Sequence, residues 1–600
     1  MNLTSIDYAF IFIFFSITLG IGIWVSKKSK QSTSEYFLSG RNMPWWLLGV
    51  SMVATTFSTD TPNLVTDIVR TNGVSGNWVW WAFLLTGMLT VFIYAKLWRK
   101  SKVTTDLEFY ELRYGGKPAK FLRGFRSLYL GVFFNVLAMA GVTLAAIKIG
   151  EVMLGLSPIQ TIGIASIVTV AFSAIGGFKG VVYTDFLLFF VAMIGAIGAA
   201  VVAVNHPDVD GLGNLLTHPN VADKLSILPD FNDKELLISI FIIPLAVQWW
   251  SAWYPGAEPG GGGYIAQRML ASKDENHAIG ATFFFNILHY ALRPWPWIIV
   301  ALASLVVFPD LASIKEAFPN VSDSKLGHDL AYPAMLTFLP TGLAGVVLTS
   351  LIAAYMSTIS THLNWGASYI VNDFYKQNIN PNATEKTLVN VGKLSTVVLM
   401  ICSAVLALSF TNALEIFKFI LMFGAGTGLI FLLRWFWWRI NAWSEISAMF
   451  ASGVFSLIFH FNSEYLFGEN GLFASYWQFP LVVLLTTLVW LLVTVLTKPE
   501  DDQTLINFYN KIQPKKEGWT PVLNKAKELG VRMEKQGGST SLTDGLLAVF
   551  IGCVLVFSSL FATGNWIYGN YELALSLSVL TVIAALGLLK LWKKIKVNFL

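Results

Sequence analysis

The chain has 600 residues, 55% of them hydrophobic and only 13% charged, with a net charge of +5. A water-soluble domain carries about 25% charged residues, so this chain has too few charges to cover a water-facing surface, and bilayer is its solvent. The small, dispersed positive charge argues against a nucleic-acid partner, and two cysteines, Cys402 and Cys553, each inside an apolar run, cannot build a disulfide framework or a zinc cluster.

The first apolar run, Tyr8 to Val25, has no basic segment before it and no small-residue cleavage site after it, so it reads as a spanning helix and not as a secretion signal. Lys27, Lys28 and Lys30 hold its far end in the cytoplasm, which places the N-terminus outside. Windows of about 19 residues then predict roughly fifteen spans. Their cores fall at 7–25, 45–69, 78–98, 121–150, 158–175, 181–204, 236–255 and 279–308. The remaining cores are 342–372, 386–410, 412–436, 444–462, 474–497, 541–562 and 568–592. Charge supports the alternation: Lys96–Arg126, Lys179, Arg268–Lys273, Arg434–Arg439 and Lys590–Lys596 fall on connections assigned to the cytoplasm, whereas 205–235 is acidic. The C-terminus then lies in the cytoplasm. Residues 498–540 are highly charged, contain no spanning run, and read as a cytoplasmic loop with some amphipathic helix.

Four places carry polar chemistry at membrane depth, where an ionisable residue is costly and signals function. In the second span, Thr55 to Asn63 is a run of Thr, Ser, Asp and Pro; Asp60 lies deep, and Pro62 removes a backbone donor. Such a helix unwinds near the midplane and frees carbonyls for a cation; the alternative is a kinked helix whose hydroxyls cap its own backbone. In the ninth span, Ala354, Ser357 and Thr358 share one face and Ser357, Ser360 and Thr361 a neighbouring one. Oxygen-only ligands suit a hard cation such as sodium. Asp185 begins the sixth span, where it either complements the helix dipole or pairs with a cation; no Lys or Arg of that span lies deeper than Lys179. Finally, Glu258 sits between prolines and a four-glycine run, so that backbone is not regular helix, and His289 and Arg293 lie one turn apart inside the eighth span. Arg293 either pairs with Glu258 or Asp60 or contacts a ligand. The glycine run lacks the spacing of a phosphate loop.

The segments SEYFLSGRNMPWW, LEFYELRYGG, GGFKGVVYTDF, YIAQRMLASKD and AAYMSTIS with NDFY occur in one order at matching helix positions. Over residues 5–440 the chain in this way resembles the sodium:solute symporter family of sugar, proline and sialic acid carriers. The resemblance implies an all-α membrane protein of the LeuT-type fold, with a five-plus-five inverted repeat. The divisions would be an extra helix and loop (1–44), a first repeat (45–204) and a second repeat (205–437). Two further helices (438–497), the loop (498–540) and two last helices (541–600) would follow. It implies a first sodium site at the carbonyls of Ala54, Phe57 and Ala354 and the hydroxyls of Ser357 and Thr358. A second site, present in some members, matches Asp185, Ser357, Ser360 and Thr361. For substrate contact the candidates are Asp60, Thr61, Trp81, Gln248, Trp249, Trp253, Glu258 and Arg293. The sugar carriers' glutamate on the third span is absent from NWVWWAFLLTGMLT, and GAEPGGGG is an insertion, so a galactose-like sugar does not follow.

The function expected is sodium-coupled import of a small organic solute (sugar, polyol or organic anion) by alternating access. Sodium would be the coupling ion, with no organic cofactor, in the cell membrane of a bacterium, as monomer or loose oligomer. A transporter-like sensor acting through a separate partner is the alternative. An intramembrane enzyme is disfavoured: there is no HExxH, and the seven histidines are scattered.

Overall fold

Inside lipid every backbone N–H and C=O must be satisfied by the chain itself, so the apolar runs become helices. The computed structural model describes residues 3–29, 38–56, 58–251, 259–468, 471–531, 533 and 542–595. Phe57, Trp253 and Glu258 lie outside the described residues. Helix α1 is Ser5–Ser29. The second span is broken into α2, Trp45–Thr56, and α3, Asp60–Asn72. Then follow α4 (Val74–Ser101) and α5 (Gly116–Leu154), and α6 (Pro158–Val204). Residues 234–250 form short pieces, ending in a single tight turn at Gln248–Trp250. The rest are α7 (Gly263–Ala271), α8 (Glu275–Val307), α9 (Leu343–Ile379), α10 (Glu385–Ala407), α11 (Ala413–Ala425), α12 (Ala442–Phe461), α13 (Ser475–Leu496), α14 (Leu542–Ile567) and α15 (Tyr571–Ile595). Among the described residues eleven helices are long and apolar enough to cross a bilayer, and Trp45–Thr56, Pro158–Val170 and Ile416–Ala425 are shorter apolar helices; the count of fifteen is not reached on those criteria.

Two contacts arrange the centre. Phe14 of α1 packs with Leu188 of α6, while the next residue, Phe15, packs beside Ala165 and Val168. The later stretch of α6 runs against α9 at small residues: a Cβ on Gly195 would fall 2.7 Å from Ser350 Oγ, and one on Gly198 2.8 Å from Leu343. Small residues allow such close approach of helices in lipid.

Both ends of the bundle are tied by buried charge. At one end Arg70 of α3 donates to the carbonyls of Ser304 (2.9 Å) and Phe308 (2.8 Å), closing the C-terminus of α8. Beside it, Lys148 of α5 pairs with Asp329 at 2.6 Å, both side chains 1% exposed. At the other end the charged stretch after α13 is a docked pair of helices, Asp502–Ile512 and Thr520–Glu528. Asp501 caps the first, accepting from the Thr504 hydroxyl and N–H, which hold its carboxyl below the usual carboxylate range. Phe508 stacks on Trp519, whose indole N–H donates to the Trp435 carbonyl at 3.0 Å. Arg113 is wholly buried against both rings and donates to the carbonyls of Arg434, Trp437 and Trp438. Glu500 accepts from the backbone N–H groups of Gly115 and Ala442.

Trp519→Ala should therefore release this pair of helices: losing a buried tryptophan costs about 3–5 kcal/mol. Limited trypsin digestion in detergent should cleave at Lys515 and Lys516 faster in the variant, and unchanged cleavage would contradict the docking.

Candidate ion and solute site

The break in the second span is where the polar side chains converge. Helix α2 ends at Thr56 and α3 starts at Asp60, with Pro62 in its first turn, where a missing N–H costs nothing. Thr61 bridges the gap, its hydroxyl reaching back to the Thr56 carbonyl (3.5 Å) and accepting from the Ser58 N–H (3.4 Å). Thr59 donates to the Val142 carbonyl of α5 at 3.1 Å.

Facing the break is the hydroxyl row of α9. Thr358 donates to the Thr55 carbonyl at 2.9 Å, which brings the two halves of the inferred first ion site into direct contact. Ala54, Ala354, Ser357, Thr358, Ser360 and Thr361 are all buried. Asp185 is fully buried between Ser51 and Ser357, accepting from each hydroxyl at 2.5 Å. Ser360 donates within α9, to the Ser357 carbonyl at 3.1 Å.

The cation partner of Asp185 is Arg268 of α7, which lies 3.6 Å from its carboxylate. Arg268 also donates to Ser51 (3.2 Å), Thr55 (3.0 Å) and Thr361 (3.1 Å) and is fully buried. The sequence placed this arginine on a cytoplasmic connection; the turn before α7 carries it inward instead. Gly260 and Gly261 adopt φ of +81° and +83°, a region open chiefly to glycine, and a Cβ on Gly261 would sit 2.6 Å from Met269. Trp98 donates to the Gly260 carbonyl at 2.6 Å, and Asp106 accepts from the Gly263 N–H at 2.8 Å, fixing the start of α7. The glycine run is thus a tight turn of backbone that leads into α7 and Arg268.

A second group surrounds the far side of the break. Thr56 accepts from Arg293 (3.3 Å) and stands 3.2 Å from His289 Nδ1. Arg293 lies over the Trp297 ring and within electrostatic reach of Asp60. Asp60, Asn63 and Thr66 of α3 follow at intervals of three, and Asp60 Oδ1, both Asn63 amide atoms and Thr66 Oγ1 are buried without hydrogen-bond partners. Unmet polar groups at this depth are costly, and they form a polar stripe suited to a hydroxylated ligand or ordered water. Trp80, and not Trp81, meets this group, edge-on to His289 at 5.8 Å; Trp81 packs among Trp78, Trp80 and Phe561. Gln248 donates to the Val79 carbonyl at 2.7 Å, and the Trp249 carbonyl accepts from Thr86.

A broken helix set against a row of hydroxyls and a buried carboxylate defines an ion-coupled membrane transporter. The model of the sodium:solute symporter family matches residues 36–452, and the chain belongs to that family. The sodium/glucose cotransporter of Vibrio parahaemolyticus is 28% identical over 477 residues, 77% of this chain and 86% of that protein. The sodium/mannose cotransporter of Bos taurus is 26% identical over 495 residues, 77% and 80% of the two chains. Among solved structures, a substrate-bound, outward-open Na+-coupled sialic acid symporter superposes with a TM-score of 0.64 at 20% identity, covering 83% of this chain and all of that one. The fold is LeuT-like, and the protein is a multi-pass transporter and not an enzyme.

Arg268→Ala leaves the Asp185 carboxylate buried without its cation, a change that costs about 3–5 kcal/mol. Asp185→Asn in the same chain should recover part of that loss. Thermal unfolding of the four variants in detergent checks this, and additive losses would break the pairing.

Proposed function

We propose that this chain imports a small organic solute together with sodium by alternating access, across a cell membrane with its N-terminus outside. The observation that carries the reading is the pairing of the α2–α3 break with the buried hydroxyls of α9. A desolvated sodium ion needs several oxygen ligands, and Ala54, Ala354, Ser357 and Thr358 offer them around the contact that Thr358 now makes with Thr55. Phe57 would add a carbonyl. Solute would meet the polar stripe of α3 with Arg293 and His289 beside it, so that ion and solute share the broken helix. Uptake into proteoliposomes should collapse when sodium is replaced by choline at fixed pH and potential. A transporter-like sensor would show no uptake in either medium.

Ser357 serves both inferred sodium sites and Ser360 only the second. Ser357→Ala should raise the half-saturating sodium concentration more than Ser360→Ala, and equal shifts would contradict the shared geometry.

Arg268 favours a second reading of stoichiometry. Its guanidinium contacts Asp185 and Thr361, two of the groups inferred to hold a second sodium ion. Either sodium displaces it during the cycle, or it serves as a fixed cation and one ion moves per solute. A reversal-potential measurement decides: a ratio that falls in Asp185→Asn supports the second site, and a ratio of one in both proteins supports the fixed cation.

A further inference from the structure

A cavity of about 900 Å³ opens at the end of the bundle that holds Asn72, Ser463 and Ser475, and Gln248, at the tight turn Gln248–Trp250, is among its lining residues. That volume lies in the range of small-molecule sites. One wall is α11, an apolar helix that carries a single lysine, Lys418, five residues in from its start. Lys418 is exposed in the wall of the cavity, and no ion pair is made to it among the described residues. His460, from the end of α12, lines the same space, and none of the described lining residues is a carboxylate. A lysine on an apolar helix that faces an open cavity is a functional-site hypothesis by default. Gln248, Gln478 and Tyr476 add neutral hydrogen-bonding groups and Phe417 an apolar face.

From this arrangement we infer that the cavity is an entry site for a solute bearing both hydroxyl groups and a carboxylate, and that Lys418 selects the carboxylate. The inference rests on the symport reading for the fate of the solute but not for its binding. An anion gains a charge-assisted hydrogen bond from Lys418 with no carboxylate among the described lining residues to compete. A neutral sugar would leave the ammonium unpaired. The hydroxyls would meet Gln248 and Gln478.

The test uses purified full-length protein in detergent and pairs of probes that differ only at the carboxylate: glucose with glucuronate, and galactose with galacturonate. The melting temperature is measured against probe concentration, with and without sodium. The expected result is a saturable rise for at least one sugar acid and a smaller one for its neutral partner. Lys418→Gln should raise the half-saturating concentration of the acid at least about tenfold, the scale of one hydrogen bond to a charged group, and Lys418→Arg should restore it. A neutral sugar that binds as well as its acid overturns the inference, as does an acid response unchanged in Lys418→Gln, or no response to any of the four. Glu415 lies three residues before Lys418 in sequence. If the lysine served only that neighbour, Lys418→Gln would lower the melting temperature without probe and leave the probe response intact, which also overturns the inference. Acid binding that ignores sodium would keep the entry site and count against sodium coupling.

Discussion

Everything at the centre of this protein is arranged around one buried carboxylate. Asp185 on α6 accepts from Ser51 of α2 and Ser357 of α9 and faces Arg268 of α7. Four elements distant in sequence thus meet at two oxygen atoms. A charge this deep is tolerated only when its partners are close and its lone pairs are met, so the carboxylate fixes the rotation of each helix about its axis. The close approach of α6 to α9 at Gly195 and Gly198 is what lets Ser357 reach it. The same carboxylate borders the hydroxyls inferred to hold sodium. Whatever changes the cation near Asp185 is felt at once by the first half of the broken helix.

Arg268 reaches that position through a chain of contacts that begins in the loop after α4. Asp106 accepts from the first N–H of α7 and from the Tyr369 hydroxyl of α9, while its neighbour Thr105 donates to Asp373, which Arg123 pairs at 2.7 Å. The loop after α4, the start of α7 and the end of α9 therefore form one unit. Arg113 and Arg434 extend it to the helices beyond residue 500, each buried against aromatic faces. In such a setting a guanidinium contributes both charge-assisted hydrogen bonds and ring contact.

Much of this was legible in the sequence. Membrane class, the break near Asp60 and the hydroxyl row of α9 follow from hydropathy and spacing alone, because lipid punishes exceptions severely. Buried charge was less legible. Positive charges between spans read as solvated loop charges, yet Arg113, Arg123, Arg268 and Arg434 are buried. Arg113 donates to carbonyls at 434–438 and Arg123 pairs with Asp373, so no local pattern reports them. Trp80, which the sequence reading did not name, stands edge-on to His289, whereas Trp81 packs among Trp78, Trp80 and Phe561. Asn63 and Thr66 could have been found, since they continue the Asp60 face at intervals of three.

The break between α2 and α3 separates two halves that are anchored to different things. Helix α2 is held by Arg268, Asp185 and Thr358, all within the ion cluster. Helix α3 is held at its far end, where Arg70 closes α8 and Asp67 accepts from Asn412 at 3.0 Å. Between these anchors the described chain has only Ser58 and Thr59 outside helix, with Thr61 spanning the gap by two long hydrogen bonds. Long bonds are weak ones. A rearrangement at the ion cluster is therefore absorbed at the break before it can disturb the far anchor of α3, and the unmet groups of Asp60 and Asn63 sit where that movement would change their surroundings most. Coupling of ion to solute needs a two-state element that both ligands bias; in this fold the break is placed between the groups that would bind each.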